Sequence, residues 1–221
     1  MGFIQVKASD GHQFQAYSCQ AKGESKGSIL LIQEIFGVNS HIQSVCDRYA
    51  NLGYQVLAPA LFDRIEAGLE LGYGSEDVIR GREIRSQLGW DDALLDLEAS
   101  LTHLPQPVFS IGYCWGGSLS WLCATRLGVK ASVCYYGGQI NDFIDETPGC
   151  AVMMHFGETD DSIPMDNVAR FRARHPQTII HTYPAGHGFN CEQRGSFQPE
   201  SADLAPKRTL DFLHSGNLRA K

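Results

Sequence analysis

The sequence predicts a three-layer α/β fold, in which a mainly parallel central sheet carries helices on both faces. Strand-like apolar runs alternate with helix-like segments along the 221 residues, and this alternation is typical of parallel βαβ units. The run Ile29–Ile32 is apolar throughout, which indicates a strand buried on both faces. A chain of this length suits one such domain, so residues 1–221 are predicted to form a single domain.

The individual elements follow from local patterns. Residues 3–7 and 13–18 predict a hairpin turned at Asp10-Gly11, a dipeptide that favours tight turns. The predicted helix 40–52 begins after an Asn/Ser cap and ends before Gly53. Apolar or β-branched runs predict the remaining strands, which are 28–33, 54–58, 108–111, 131–135, 151–156 and 178–183. The remaining predicted helices are 91–104, 115–127, 165–174 and 202–214.

Residues 63–90 depart from this alternation. The segment is rich in glycine and arginine, and it shows neither a clean apolar strand nor a clean helix. A long insertion between a strand end and the next helix often forms a cap over an active site. We therefore predict a cap-like insertion at 63–90, with a solvated surface excursion as the alternative.

The segment Gly112–Gly117 follows an apolar run and reads GYCWGG, a nucleophile elbow with cysteine in place of the usual serine. Glycines two residues before and two residues after Cys114 allow a sharp turn from strand to helix. This turn would raise the thiol to the top of the sheet, where the positive end of the next helix favours a thiolate. The alternative is a tight turn that holds a structural cysteine.

Two later segments supply an acid and a base. Asp160 and Asp161 follow the predicted strand 151–156, and His187 follows the strand 178–183 between two glycines. Nucleophile, acid and histidine occur in the chain order of α/β-hydrolases. Because parallel strands share one carboxyl edge, these loops are expected to converge there.

Together these motifs resemble those of the dienelactone hydrolase family, and the resemblance runs nearly from end to end. The segments that carry it are Ser9–His12, Ala16-Tyr17, Gln33–Asn39, Pro59–Phe62, Gly112–Gly117, Tyr135–Gly138, Gly157–Asp160, Gly186–Phe189 and Arg208–Leu213. The EIFG sequence at 34–37 and the GYCxGG sequence at 112–117 together separate these proteins from serine-based relatives.

The resemblance implies an α/β-hydrolase fold and a cysteine-dependent hydrolase of a small ester or lactone. It implies a Cys114–His187–Asp160 triad that works through an acyl-thioester, and a Glu34 carboxylate that modulates the thiol. For Glu34, a loop salt bridge with an arginine of residues 64–85 is the alternative. A non-catalytic or redox-regulatory protein with Cys114 as a modifiable thiol is the competing function, although it would not require the other two triad members.

The resemblance also suggests where the substrate is held. The backbone amides of Ile35 and Trp115 would form the oxyanion hole. Candidate substrate-binding residues are Phe36, Arg82, Arg85, Tyr113 and Cys191. Cys191 stands where the family pattern has an arginine for a substrate carboxylate, and Arg194 lies three residues further on. A neutral ester, another lactone or a thioester therefore remains open beside an anionic lactone.

The global composition excludes several other classes. A formal net charge of −7 without a basic block argues against nucleic acid as the main partner. The seven cysteines form no C-x-x-C pair and the histidines no H-E-x-x-H motif, so we expect no zinc, no other metal and no cofactor. No signal-like or membrane-spanning run is evident. We expect a cytoplasmic protein with reduced thiols, monomeric by default, with a dimer left open.

Overall fold

The computed structural model describes residues 1–215, and residues 216–221 lie outside the described part of the chain. The chain divides into two compact units, Met1–Phe109 and Ser110–Lys221. The division falls within one strand, β5 (Val108–Tyr113). The assignment of residues 1–221 to a single domain remains a prediction.

The first unit contains four strands in the order β1-β2-β4-β3. The hairpin β1–β2 is antiparallel with Gly2 opposite Ser18, as the turn residues predict. Strand β2 also pairs antiparallel with β4, whereas β3 and β4 run parallel. The bounds of these strands are β1 Gly2–Lys7, β2 Gln13–Cys19, β3 Ser28–Ile32 and β4 Gln55–Pro59. Every residue of β3 is buried, as the continuous apolar run predicts.

Three helices complete the first unit, namely α1 Ser40–Asn51, α2 Ser75–Gln87 and α3 Trp90–Leu101. Helix α1 begins at the predicted Asn cap, since the Asn39 side chain accepts a hydrogen bond from the amide of Ile42. A short 3₁₀ helix, Leu61–Arg64, follows β4. Its Arg64 guanidinium bonds both carboxylate oxygens of Asp96 in α3, and the Asp96 side chain is fully buried.

Residues 63–90, which show no clean helical pattern in the sequence, contain helix α2 at Ser75–Gln87, and a cap-like role for the segment remains a prediction. Only Gly81 and Ile84 of this helix are buried, so its apolar face is too narrow to produce a recognisable helical stripe. A Cβ atom at Gly81 would lie 2.1 Å from the carbonyl oxygen of Ile35. The helix is therefore held against the loop after β3 by a close backbone contact, which sequence periodicity does not reveal.

The second unit orders its strands β5-β6-β7-β8 and pairs β6, β7 and β8 in parallel. Their bounds are β6 Ala131–Tyr135, β7 Ala151–Gly157 and β8 Ile179–Tyr183. The helices of this unit are α4 Trp115–Arg126, α5 Met165–Arg174 and α6 Pro199–His214. Helix α4 is buried on all sides from Trp115 to Ala124. The predicted α/β class with a mainly parallel sheet is confirmed.

A buried polar network ties helix α6 to the strands of the second unit. The His155 ring on β7 bonds the Tyr183 hydroxyl through Nδ1 at 2.8 Å and the Thr209 hydroxyl through Nε2 at 3.1 Å. Tyr135 on β6 bonds the same Thr209 hydroxyl at 2.7 Å. No helix within residues 1–215 is both long enough and apolar enough to span a bilayer.

Candidate active site

Cys114 occupies a strained turn between β5 and α4. It is the residue before the helix, and its backbone has φ 55° and ψ −118°. A positive φ is uncommon for a residue other than glycine, and such backbone strain often marks a functional site. The Cys114 amide donates a hydrogen bond to the Tyr135 carbonyl at 2.9 Å, which anchors the turn to the end of β6.

Two glycines make this turn sterically possible. A Cβ atom at Gly112 would lie 1.8 Å from the carbonyl oxygen of Gly116, so no larger residue fits beneath the turn. A Cβ atom at Gly117 would lie 2.5 Å from the carbonyl oxygen of Tyr135. Helix α4 therefore packs directly onto backbone at both positions, which holds Cys114 at the top of the turn.

The His187 imidazole connects the Cys114 sulfur with a carboxylate. Its Nε2 lies 3.1 Å from Cys114 Sγ, and its Nδ1 lies 2.7 Å from Asp160 Oδ2. With an ionised carboxylate, Nδ1–H donates to Asp160 and Nε2 faces the sulfur. The Tyr136 ring packs against the imidazole at a centroid distance of 5.1 Å. The structure thus brings these three predicted residues into one hydrogen-bonded chain.

The geometry selects between the two neighbouring acids. The Asp160 carboxylate is buried and also accepts a hydrogen bond from the Ser162 amide at 2.9 Å. Asp161 is exposed. Because a buried carboxylate needs hydrogen-bond donors, the amide of Ser162 and the imidazole of His187 together stabilise Asp160 in its position.

The charge environment of His187 favours its protonated form. Burial by itself lowers the pKa of the imidazole, but the Cys114 sulfur and the Asp160 carboxylate outweigh burial and raise the pKa to about 10. A cationic imidazole stabilises a nearby thiolate. The arrangement therefore suits an activated sulfur nucleophile paired with a proton-carrying base.

Glu34 and Ile35 lie on the loop after β3, within the first unit. The Glu34 side chain is fully buried, and one of its oxygens accepts a hydrogen bond from the Tyr73 hydroxyl at 3.0 Å. A His41 ring nitrogen lies within 4.8 Å of the Glu34 carboxylate. Ile35 is half-buried, and its carbonyl oxygen faces Gly81 of α2. In the second unit, Trp115 is the first residue of α4, a position where backbone amides commonly bind anions.

The substrate-binding candidates of the first unit have different surroundings. Arg82 is exposed on α2. The Arg85 guanidinium lies over the Trp90 ring, 4.7 Å from its centroid, which is a cation–π contact. Phe36 is buried and meets the Tyr73 ring edge-on at 4.6 Å. A role in substrate binding remains a prediction for all three.

The candidates of the second unit are both buried. The Tyr113 ring stacks on the Tyr135 ring at 4.6 Å, at the end of β5. Cys191 is buried, and its amide bonds the Gly188 carbonyl at 3.0 Å. The Arg194 guanidinium packs against the same glycine, since a Cβ atom at Gly188 would lie 2.4 Å from Arg194 Nη1. A cation thus sits beside the residue that follows His187.

Comparison with known proteins places the chain in a family. The model of the dienelactone hydrolase family matches residues 14–216. The chain belongs to this family. A Synechocystis protein provisionally named carboxymethylenebutenolidase is 36% identical over 202 residues, which are 79% of this chain and 80% of the relative. The carboxymethylenebutenolidase of Pseudomonas putida is 29% identical over 227 residues, 95% of this chain and 94% of that protein.

Solved structures support the same assignment. A provisionally assigned dienelactone hydrolase from Klebsiella pneumoniae has a TM-score of 0.78 and 28% identity, covering 96% of this chain and 99% of its own. An esterase from Pyrococcus furiosus has a TM-score of 0.70 at 13% identity, covering 96% of this chain and 90% of its own. The second likeness concerns the fold alone. The predicted α/β-hydrolase fold is confirmed, and the chain is a hydrolase of the dienelactone hydrolase family.

Sequence reasoning did not identify two aromatic residues near the site of this dienelactone hydrolase family member. Tyr73 bonds Glu34 from a segment without any recognisable motif, so only the fold reveals it. Tyr136 lies in the YYGG sequence at 135–138 that forms part of the family resemblance. Its positive φ of 37° could have been suspected from the two glycines that follow, which indicate a tight turn after β6.

Proposed function

We propose that this protein hydrolyses a small ester or lactone through a cysteine nucleophile and an acyl-thioester intermediate. One observation carries the proposal: the His187 ring lies 3.1 Å from the Cys114 sulfur and 2.7 Å from the Asp160 carboxylate. Membership of the dienelactone hydrolase family supports the reaction class. The strained backbone of Cys114 supports its assignment as the nucleophile.

In the first step, His187 holds the proton of the Cys114 thiol as an imidazolium, and the thiolate attacks the acyl carbon of the substrate. The carbon–oxygen bond of the ester then breaks, and the imidazolium donates its proton to the departing oxygen. In a lactone this oxygen stays tethered to the acyl group. The product of the step is an acyl-thioester on Cys114.

In the second step, His187 takes a proton from water, and the resulting hydroxide attacks the thioester carbon. The carbon–sulfur bond breaks, the sulfur regains its proton from the imidazolium, and a carboxylic acid leaves. Asp160 acts throughout by holding the imidazole in one tautomer and by stabilising its positive charge. Water is the only co-reactant, so the two steps together are a balanced hydrolysis.

The family pattern supports two further roles. The amides of Ile35 and Trp115 would bind the oxyanion of each tetrahedral intermediate, and one lost donor of this kind costs about 3 kcal/mol of transition-state stabilisation. The Glu34 carboxylate would partly counteract the stabilisation of the thiolate by His187 until substrate binds, which would limit idle oxidation of the sulfur. Both roles are proposed from the positions of these residues in the family motifs.

The test uses the difference in exposure between Cys114 and the other thiols. Cys114 is half-buried, whereas the other six cysteines are buried, so iodoacetamide should modify Cys114 selectively in the native protein. We expect hydrolysis of short p-nitrophenyl esters that alkylation and the Cys114→Ala substitution both abolish. Cys150→Ser, at a buried cysteine preceding β7, is the matched control and should stay active. A hydroxylamine-sensitive acyl adduct on Cys114 should appear by mass spectrometry.

The same experiment tests the competing function. A protein that is fully alkylated at Cys114 but inactive on a broad ester and lactone panel would favour a regulatory thiol. An active Cys114→Ala variant would refute the cysteine mechanism. The hydrogen bond between Asp160 and His187 favours the hydrolase, because a modifiable thiol needs no oriented base.

A further inference from the structure

The segment 69–74 lies across the loop 34–39 that carries Glu34 and Ile35. The Leu71 amide donates to the Phe36 carbonyl at 2.9 Å, and the Asn39 side-chain amide donates to the Leu71 carbonyl at 2.9 Å. A Cβ atom at Gly37 would lie 2.0 Å from the Leu69 carbonyl oxygen, so the two backbones are in direct contact. These contacts fix the segment, including Tyr73, relative to the loop.

Tyr73 uses this position to reach the Glu34 carboxylate. Its hydroxyl donates to Glu34 Oε2 at 3.0 Å. Its ring is held edge-on against Phe36, with centroids 4.6 Å apart, and it also faces the His41 ring at 6.3 Å. The tyrosine is therefore constrained at both ends, by ring packing and by its hydroxyl.

The energetic consequence follows from the burial of Glu34. A carboxyl group with 0% exposure is costly unless it is hydrogen-bonded. A glutamate has three rotatable side-chain bonds, whereas a packed tyrosine has few accessible rotamers and loses little entropy when it forms a hydrogen bond. The hydrogen bond from the Tyr73 hydroxyl therefore restricts the positions that the flexible Glu34 carboxylate can adopt.

We propose that Tyr73 is a positioning residue that aims the Glu34 carboxylate. This inference rests on the proposed role of Glu34 in controlling the thiol. Tyr73 acts through Glu34, so its hydroxyl governs the chemical step and not the binding of substrate. Because Tyr73 belongs to the segment 63–90, this segment would help to position the Glu34 carboxylate.

The test compares Tyr73→Phe with Tyr17→Phe. The first substitution removes the hydroxyl and keeps the ring against Phe36. The second removes a hydroxyl on β2 that bonds Asp47 of α1 at 3.3 Å. We expect Tyr73→Phe to lower kcat about tenfold, as the loss of one hydrogen bond to a charged group implies, with KM changed by less than about twofold. Tyr17→Phe should leave both constants unchanged.

A double substitution separates positioning from general stability. In a Glu34→Gln background, Tyr73→Phe should lower kcat by less than about twofold further, because its target is already altered. Tyr73→Leu also removes the ring packing and should lower the melting temperature more than Tyr73→Phe does. A kcat loss that tracks the melting temperature across these variants would assign Tyr73 a structural role only.

Other outcomes distinguish the inference from the proposed function. Equal kcat values for Tyr73→Phe and Tyr17→Phe, or an undiminished Tyr73→Phe effect in the Glu34→Gln background, would overturn the positioning role while Cys114→Ala remained inactive. An active Cys114→Ala variant would instead overturn the cysteine mechanism itself.

Discussion

Gly112 lies directly beneath the carbonyl oxygen of Gly116, and a Cβ atom added at Gly112 would lie only 1.8 Å from that oxygen. The close approach accompanies a sharp turn in which Cys114, at φ 55°, is the one residue between β5 and α4. The reactivity proposed for the Cys114 sulfur thus depends on the lack of a side chain at Gly112, two residues earlier.

Gly112→Ala should therefore be strongly destabilising. The new methyl group would clash with the Gly116–Gly117 peptide, and we expect a loss of at least about 3 kcal/mol in the free energy of unfolding. Gly128→Ala is the control, because a Cβ atom there meets nothing within 4 Å, and its stability should change by less than about 1 kcal/mol. Urea unfolding measures both, and similar values for the two variants would contradict the steric argument.

Asp160→Asn should reduce activity far more than Asp161→Asn. The asparagine cannot accept the Nδ1 proton with the strength of a carboxylate, and it no longer stabilises the imidazolium, so kcat/KM should fall on the order of 10²- to 10⁴-fold. The exposed neighbour should tolerate the same change with less than about a twofold effect. Steady-state kinetics with one ester measure kcat/KM for both variants, and a larger loss in Asp161→Asn than in Asp160→Asn would contradict the assignment.

The pH dependence of alkylation tests the charge on His187. Because its pKa is raised to about 10, the imidazole carries a proton at neutral pH and can stabilise the Cys114 thiolate. In His187→Gln this support is lost, so the alkylation rate at pH 6.5 should fall about tenfold or more, and the gap should narrow toward pH 9. Iodoacetamide kinetics across this range provide the measurement. Parallel profiles for the two proteins would exclude the ion-pair interpretation.

His155 predicts a second pH effect, this time on stability. Burial, with smaller contributions from His181 and Arg208, holds the pKa of this imidazole well below its usual value. Below about pH 6.5 the unfolded chain therefore binds more protons at this residue than the folded chain does. The free energy of unfolding then falls by up to about 1.4 kcal/mol for each unit by which the pH is lowered. His155→Gln should be less stable at pH 8 but less sensitive to acid. The exposed His103→Gln should keep the acid sensitivity of the wild type.

Arg194 offers a test of substrate charge. Its guanidinium packs against Gly188, directly after His187, and the family resemblance suggests an arginine where this chain has Cys191. We expect Arg194→Gln to raise KM about tenfold for an ester that carries a free carboxylate, and by less than about twofold for its neutral methylated analogue. Arg172→Gln, on the exposed face of α5, is the control. Equal KM changes on both substrates would remove Arg194 from carboxylate recognition.

The sequence alone indicated most of the fold and the principal residues of the candidate site. The elbow glycines around Cys114, the acids after β7 and the glycine-flanked His187 are local patterns, and each depends on backbone conformations that only a few residue types allow. The central parts of the strands and helices could be predicted equally well, because hydrophobic periodicity is a local property of the sequence. Helix ends were less accurate: α6 begins at Pro199, three residues before the predicted start, since a Gln198 side-chain cap and a proline in the first turn open it.

Tertiary structure decided the rest. Helix α2 has no apolar stripe that the sequence could reveal, and it lies in close backbone contact with Ile35 at Gly81. The hydrogen bond between Tyr73 and Glu34 joins residues 39 positions apart. The resemblance favoured Asp160 over Asp161, and the packed chain shows that the Asp160 carboxylate bonds His187. Local conformational preference is encoded in neighbouring residues, but a hydrogen bond between distant segments is defined only when the packed chain brings its donor and acceptor together.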